Sequence, residues 1–235
     1  MNLIAIIPAK ERSTRIPGKN VRKLDGKPLV LHSINVAIES NVFKRIIVST
    51  DSIQIRSMAL SAGAEVPFLR PQKLCEDKVR IVEVVKHLFE TLPDLATEND
   101  GLALLEPTTP LRNINDIISA TQLFSERKCN SVVSITEYAF SPFYALCVDN
   151  NIIKPFWDDQ YFSKKSQAQS VKKLYHPNGA ILLSKIDFFL QHNKFISEDA
   201  IPYFMPRMRS VDIDEEIDFQ FAEFLIQNSK KNFLL

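Results

Sequence analysis

Two charged constellations could carry chemistry in this sequence. The first is "IAIIPAKERSTRIPGKN", residues 4–20, where an apolar run leads directly into Lys10, Arg12, Arg15 and Lys19, with Arg22 and Lys23 following and Glu11 as the one acid among them. The second is "SVDIDEEIDF", residues 210–219. Read as a strand, "RSVDID" puts Asp212 and Asp214 on one face, because alternate residues of a strand point the same way. Two neighbouring carboxylates repel, and a divalent cation relieves them; Mg2+ takes one or two carboxylates together with waters and phosphate oxygens. A competing reading has Asp214 cap the last helix, with "DEEID" supplying acids to its first turn. The basic loop also reads two ways, as a solvated surface or as a phosphate grip, since Lys and Arg hold a nucleoside triphosphate through charge-assisted hydrogen bonds.

Composition narrows the partner. Lys plus Arg (29) almost balances Asp plus Glu (28), so the basic cluster is local and the chain is not a polycation of the kind that grips DNA. A small anion is the expected ligand. Cys75, Cys129 and Cys147 are odd in number, widely spaced and free of any C-x-x-C, which argues against a disulfide framework and a structural zinc site. "LIAIIPA" is too short for a signal-peptide core, and no later segment reaches ~18 uninterrupted apolar residues. A soluble protein of the reducing cytoplasm, without membrane or nucleic acid, is expected.

The elements that must position these groups follow from hydrophobic period. Apolar runs "LIAII", "RIIVST", "EVPF", "GLALLE", "SVVSITE", "YHPNGAILLS" and "RSVDID" read as strands. They alternate with helical patterns at "LVLHSINVAIES", "SIQIRSMALSA", residues 81–92, 114–126 and 185–191, and a last helix carrying Ile217, Phe221, Phe224 and Leu225 on one face. Alternation of this kind predicts an α/β fold, a mainly parallel sheet with helices on both faces in three layers. With 45% apolar residues, residues 1–235 are expected to form one domain. Its one excursion, at about 141–175, comprises a hairpin turning at Asp149-Asn150-Asn151 and a polar stretch, a lid or an oligomer contact. In such a sheet the first strand-to-helix loop is a favoured phosphate position, and the basic segment fills it. Neither G-x-G-x-x-G nor G-x-x-x-x-G-K-[ST] occurs, so redox dinucleotides and Walker-type kinases are not indicated.

The opening loop resembles the signature of the acylneuraminate cytidylyltransferases, the CMP-sialic acid synthetases, a pattern close to I-P-A-R-G-G-S-K-R-I-P-x-K-N. Ser13, Arg15, Ile16, Pro17, Lys19 and Asn20 match; Lys10 stands for Arg, Glu11-Arg12 for Gly-Gly, and Thr14 for a basic residue. Losing the glycines removes close backbone approach to phosphate, which Arg12 would offset if it points inward. The likeness covers nearly the whole chain. "RIIVSTDSIQI" is similar to the family's second strand and S-T-D turn, and "EVPFLRPQKLCED" to its L-R-P-x-x-L segment, placing Arg70 near the nucleotide. "LLEPTTPLR" is similar to L-L-Q-P-T-S-P-L-R, which implies that Pro107 and Thr108 shape the junction of nucleotide and sugar and that Glu106 faces the acceptor. A carboxylate accepts hydrogen bonds but cannot donate as glutamine does, and it repels an acidic substrate unless magnesium or a lysine stands nearby. "QAQSVKKLYHPNGAILL" is similar to R-S-Q-D-L-P-K-L-Y-H-P-N-G-A-I-Y, with Gln169, Lys173, Tyr175, Asn178, Gly179 and Ala180 matching. Gln167 replaces the arginine, for which Lys172, Lys173 or His176 are candidate substitutes.

What the resemblance implies is specific. The fold would be that of the nucleotide-diphospho-sugar transferases, with the excursion as a dimerisation or lid segment. The reaction would be transfer of CMP from CTP to the anomeric hydroxyl of a nonulosonic acid, releasing pyrophosphate. Lys19 would hold the α-phosphate and Lys10, Arg12 and Arg15 the outer phosphates, with Ser13, Asn20, Arg70, Pro107 and Thr108 completing the CTP site. Asp212 and Asp214 would carry Mg2+, or Mn2+, with Asp218 kept outside the metal. Glu106, Gln169 and Asn178 would meet the sugar, and Phe195 is either an apolar wall for an N-acyl group or an ordinary core residue. A homodimer is implied, its excursion reaching the partner's site. Kdo is the alternative acceptor, although Glu106 and Gln167 favour a bacterial legionaminic- or pseudaminic-type acid over N-acetylneuraminic acid. A catalytically idle nucleotide-binding module, marked by Glu11, Arg12 and Glu106, is the alternative of a different class.

Overall fold

The computed structural model describes residues 1–157 and 172–229. Strand β1 (Leu3–Pro8) lies one strand in from the edge of a six-stranded sheet, and the burial of its residues shows why helices pack on both its faces. Alternate side chains of a strand face opposite ways. Leu3, Ala5 and Ile7 join one core cluster, while Ile4 and Ile6 join another on the far side. The first cluster is completed by helices α1 (Leu29–Ser40), α2 (Ile53–Ser61) and, later in the chain, α5 (Ile114–Glu126). The second is covered by α3 (Ile81–Thr91), the short α4 (Asp94–Glu98) and α6 (Ile186–His192). Helices therefore lie on both faces, and a strand buried on both sides has to be apolar throughout.

Between the opening loop and α1 a small ribbon forms from β2 (Lys23–Leu24) and β3 (Lys27–Pro28). The main sheet continues with β4 (Arg45–Ser49), β5 (Gly101–Leu104), β6 (Ser131–Glu137), β9 (Tyr175–Lys185) and β10 (Ile201–Phe204), in the spatial order β10-β6-β9-β5-β1-β4. Every neighbouring pair is parallel except those of β9, which runs antiparallel to both β5 and β6. β9 carries an irregularity opposite Val133 and Ile135, with Gly179 in the left-handed region at φ +70°. Gly101 is required by proximity: a Cβ there would lie 2.8 Å from Leu3 and 2.9 Å from Phe124. The excursion begins as the expected hairpin, β7 (Leu146–Asp149) and β8 (Ile152–Pro155). Asn150 and Asn151 both take positive φ at its turn, the primed geometry that suits a two-residue hairpin.

Three elements differ from expectation. "EVPF" makes only isolated parallel bridges, Ile47 to Glu65 and Thr50 to Leu69, at the ragged edge beyond β4. "RSVDID" is not a strand; Arg207–Arg209 form a 3-10 turn and residues 210–214 run without a ladder. The last strand is "IPYF", where Pro202 conceals the pattern, and its place at the edge of the sheet is where proline is tolerated. In α7 (Glu216–Ser229) the buried face is Phe219, Ala222 and Leu225, whereas Ile217, Phe221 and Phe224 are exposed. Two apolar stripes at helical spacing compete in that segment, and tertiary contact selects between them. The selected stripe packs with Ile16, Leu24, Leu29 and Ile213 in a third cluster. That cluster fixes the opening loop against the C-terminal segment, with fully buried Ile213 and Leu24 each worth about 1.5–3 kcal/mol.

Candidate active site

The opening loop hangs from both ends and from the middle. Ala9 N–H donates to Ser49 O (2.9 Å), continuing the β1–β4 pairing past the strand. Glu11 N–H donates to Asp51 Oδ1 (2.8 Å), and Ser52 Oγ donates to Glu11 Oε1 (3.2 Å), so the acid that interrupts the basic run ties it to the turn after β4. Buried Ile16 is the midpoint anchor. Gly18, at φ +65°, allows the 3-10 turn Lys19–Val21 that follows. Arg22 stacks over Phe219 (4.0 Å to the ring centre) and pairs with Glu216, joining the loop to α7.

These anchors bring the two charged constellations face to face. Lys19 Nζ donates to Ile213 O (2.6 Å) and lies 3.9 Å from Asp214 Oδ1. Arg15 meets the same Asp214 oxygen at 2.8 Å. Desolvation pulls the Lys19 ammonium below its ordinary value, opposed by Asp214 and Asp212. Although residues 210–214 have no ladder partner, Ile213 N–H donates to Thr108 O (2.8 Å) and the Ile213 side chain is fully buried. The aspartates on either side of it are left out of the core. Desolvation pushes Asp212 up, a Thr108 hydrogen bond acts in the opposite sense, and Asp214 adds to the rise. Asp218, not Asp214, serves the start of α7: its Oδ2 accepts from Asp214 N–H (3.0 Å) and Glu215 N–H (2.8 Å).

Beside this meeting point lies a cleft of about 560 Å³, which Arg15 and Lys19 line but Asp212 and Asp214 do not. Lys10, Ser13, Arg15, Lys19 and Asn20 line it from the loop, and Glu106, Pro107 and Thr108 from the segment after β5. Its other wall is Arg70 with the apolar side chains of Leu74, Val79, Ile81 and Val84. Arg70 is buried and donates to Ser49 Oγ (3.1 Å) and Ser49 O; desolvation lowers it. Asn20 donates through Nδ2 to Lys10 O (2.8 Å), while its buried Oδ1 finds no partner among the described residues. A ligand hydroxyl or amino group would satisfy that acceptor. Lys10 and Thr14 both reach Asp77, at 2.5 Å each.

Several expected site residues lie elsewhere. Arg12 does not line this cleft but an adjoining groove with Gln54 and Gln72, because Glu11, its neighbour, is held to the β4 turn. Phe195 is a core residue: it is buried and stacks on Phe189 (ring centres 4.7 Å apart) in the second cluster. Asn178 is engaged within the protein, accepting from Ser134 Oγ (2.5 Å) and Ala180 N–H (3.1 Å) and donating to Ser210 Oγ (2.8 Å). Its amide nitrogen is spent within the protein, on Ser210 Oγ and Met205 Sδ (3.4 Å), so it directs no amide hydrogen at a sugar. Lys173 pairs with Glu137 (3.1 Å), and His176 packs on Tyr138. Gln167 and Gln169 lie outside the described residues.

One residue of importance was missed. Arg112, fully buried, donates to Ala180 O (2.6 Å), Ser33 Oγ (2.6 Å), Thr109 Oγ1 (2.5 Å) and Glu106 O. It thereby fixes "EPTTP" against β9. Thr109 Oγ1 also donates to Gly179 O (3.2 Å), and a Cβ on Gly179 would lie 3.9 Å from Glu106 Oε2 and 4.0 Å from Asp212 Oδ2. Glu106 is pushed up by desolvation first and by Asp212 next. The signal for Arg112 was present, an arginine closing a strand-end turn, but sequence does not tell a buried fork from an exposed ion-pair partner.

The comparison with known families then decides what this arrangement belongs to. The cytidylyltransferase model matches residues 4–231. The chain belongs to the cytidylyltransferase family. Among curated relatives of this cytidylyltransferase, the CMP-N,N'-diacetyllegionaminic acid synthase of Legionella pneumophila is 33% identical over 97% of both chains. The N-acylneuraminate cytidylyltransferase of Escherichia coli is 36% identical over 98% of this chain but 53% of its own length. The pseudaminic acid cytidylyltransferase of Campylobacter jejuni is 30% identical over 96% of each. In fold, the chain is similar to CMP:2-keto-3-deoxy-manno-octonic acid synthetase complexed with CTP, with a TM-score of 0.71 at 13% identity over 97% of this chain and 100% of that one. It is also similar to 4-diphosphocytidyl-2C-methyl-D-erythritol synthase of Anaerococcus prevotii, with a TM-score of 0.60 at 12% identity, covering 96% and 98%. The nucleotide-diphospho-sugar transferase-like fold is thus shared with both.

Proposed function

We propose that this cytidylyltransferase transfers CMP from CTP to the anomeric hydroxyl of a nonulosonic acid. The sugar hydroxyl oxygen forms a bond to the α-phosphorus and gives up its proton to solvent, the bond between the α-phosphorus and the bridging oxygen breaks, and pyrophosphate leaves with that electron pair. The reading rests on one observation above the rest: Arg15 and buried Lys19 both line the cleft and both face Asp214, at 2.8 and 3.9 Å, so the basic loop meets the C-terminal acids at the cleft's edge. Charge in this transfer builds on phosphate oxygens, so fixed cations that need no rearrangement supply most of the stabilisation. Lys19 serves the α-phosphate, and Lys10 and Arg15 the outer phosphates, with Ser13 donating from the same loop. Asn20 Oδ1 takes a nucleoside hydroxyl or amino donor, and the base lies against Arg70 and the apolar wall.

Asp212 and Asp214 offer only oxygen, which suits a hard divalent cation, Mg2+ or Mn2+; no group of three potential protein ligands occurs among the described residues, so such an ion would depend on non-protein ligands. Such an ion completes its shell with water and phosphate oxygens. When bound, it neutralises phosphate charge. Thr108 orients Asp212, and Arg112 holds the Thr108 segment through Glu106 O and Thr109.

Glu106, standing where the resembling signature has glutamine, tilts the reading toward an acceptor of the legionaminic or pseudaminic type. A homodimer built on the β7–β8 hairpin belongs to the same reading: Leu146, Val148, Ile152, Ile153 and Phe156 are all exposed there, more apolar surface than a lone hairpin needs. So do a single domain over 1–235 and a cytoplasmic location, consistent with three free cysteines and with no helix among the described residues long and apolar enough to cross a membrane. CTP-dependent pyrophosphate release across legionaminic, pseudaminic, N-acetylneuraminic and Kdo acids tests the assignment. Release with legionaminic or pseudaminic acid is expected. Preference for N-acetylneuraminic acid overturns the acceptor, and silence with every acid overturns the activity.

A further inference from the structure

The loop cations that line the cleft already face carboxylates: Arg15 and Lys19 share Asp214, and Lys10 meets Asp77. Arg15 holds Asp214, which is also a metal candidate and so has a second partner to turn to when phosphate claims Arg15. Lys10 holds Asp77, which has no such alternative. Asp77 sits between the 3-10 turn Gln72–Leu74 and α3, at the rim shared by the cleft and the adjoining groove. One of its oxygens meets Lys10 Nζ and the other meets Thr14 Oγ1, both at 2.5 Å, so the carboxylate bridges two points of the loop as a phosphate would. Its neighbour Glu76 also borders the cleft but pairs with Lys78 (3.1 Å) and makes no contact of this kind. Hydrogen bonding to Lys10 and then Thr14 keeps Asp77 below the ordinary carboxylate range, so it is an anion at neutral pH.

We propose that Asp77 is an intramolecular competitor for the phosphates: it holds Lys10 and Thr14 in the free enzyme, yields them to CTP, and reclaims them as pyrophosphate departs. The inference rests on the CTP reading above and adds a residue that this reading does not use. A side chain that is 67% exposed can turn out to solvent at small cost, so the latch opens without disturbing the fold. Once open, it stands as a like charge beside the triphosphate. Ground-state hold on substrate and product is weakened together, and product release, often the slow step in transferases that close on their ligands, is favoured.

The test is calorimetric titration of the full chain with inorganic pyrophosphate and with CTP, for the wild type, Asp77→Asn and Glu76→Gln. Asp77→Asn is expected to bind both ligands roughly threefold to tenfold more tightly, the span between freeing one exposed ion pair and also removing a like charge. It should also be more strongly inhibited by added pyrophosphate during turnover. Glu76→Gln should gain less than about twofold, as expected of an acid that acts only through solvent. Unchanged or weaker binding by Asp77→Asn overturns the proposal, and so does an equal gain from Glu76→Gln, which would reduce the effect to net charge. Asp77→Ser provides the same reading should Asp77→Asn fold poorly. If the wild type binds pyrophosphate and CTP yet processes no sugar acid, the proposed activity falls while the affinity comparison still decides the latch.

Discussion

The two sides of the cleft are built on opposite principles. On the side of β9 and the segment after β5, Arg112 and Asn178 are buried and spend their hydrogen bonds on main-chain carbonyls, hydroxyls and one amide within the protein. On the loop side, Lys10 and Arg15 are paired with acids that remain partly exposed, so their partners can be exchanged. Buried polar groups are costly to leave unsatisfied, which makes the first wall rigid. Exposed pairs are worth little, which makes the second wall free to rearrange. Lys19 is intermediate, buried like the first wall yet directed at an exchangeable carboxylate. A phosphoryl-transfer site needs both: a fixed floor to align the reacting atoms and a cationic wall that can accept and then release a highly charged ligand.

The largest expected effect tests the place where the walls meet. Asp212→Ala or Asp214→Ala should cut turnover by about a thousandfold or more, several kcal/mol of transition-state stabilisation, measured as pyrophosphate release. The melting temperature should change little, since neither carboxylate belongs to the core. Near-normal turnover would place the metal elsewhere and separate the two walls functionally.

Next in size is the rigid wall itself. Arg112→Met removes four hydrogen bonds and takes the arginine donor from Ala180 O, Ser33 Oγ and Thr109 Oγ1, while Glu106 O keeps Ser33 and Thr109 as donors; about 3 kcal/mol of stability should be lost in denaturant unfolding. A loss of turnover without a loss of stability would mean that Arg112 acts on the ligand and not on the floor.

Comparison with expectation shows why this wall was the harder one to read. The α/β alternation, the parallel sheet and helix α5 (114–126) were legible because apolar period encodes which face is buried, and the basic loop because charge density stands out in sequence. The facing of the loop and the aspartates rests on Ile16, Leu24 and Ile213 packing with α7, three residues scattered along the chain that no local pattern connects. For the same reason the wrong stripe of α7 was expected to be buried. Residues 210–214 were expected to form a strand and do not, yet alternation survived there because Ile213 alone enters the core. Asn178, Arg112 and Phe195 show the limit: residue type marks a side chain as polar or apolar, but whether it is satisfied inside the protein depends on tertiary partners, some as far as 79 positions away.

A smaller effect concerns pH. Glu106 has a folded-state pKa raised above its ordinary 4.5 by desolvation and by Asp212. The folded protein therefore holds a proton that the unfolded chain has lost, and stability falls as pH rises from about 4.5 through the raised value. In metal-free protein, Glu106→Gln should flatten that decline in unfolding experiments and leave stability at lower pH nearly unchanged. An unaltered slope would assign the decline to Asp212 alone, which is shifted in the same direction.

The smallest effect is expected at Glu11. Its carboxylate accepts from Ser52 Oγ and its N–H donates to Asp51, holding the loop to the β4 turn where the resembling signature has glycine. Glu11→Gly keeps the N–H bond but loses the side-chain strut and adds backbone freedom, for a cost of about 1 kcal/mol in thermal unfolding. Turnover should stay within about twofold of wild type, because the cations that line the cleft are placed by Ile16, Asn20 and the third apolar cluster, not by residue 11. Were Glu11→Gly to raise turnover tenfold, close backbone approach to phosphate would be limiting in this chain. The loop wall would then be set by backbone shape and not by exchangeable charge, and its contrast with the buried wall would need to be redrawn.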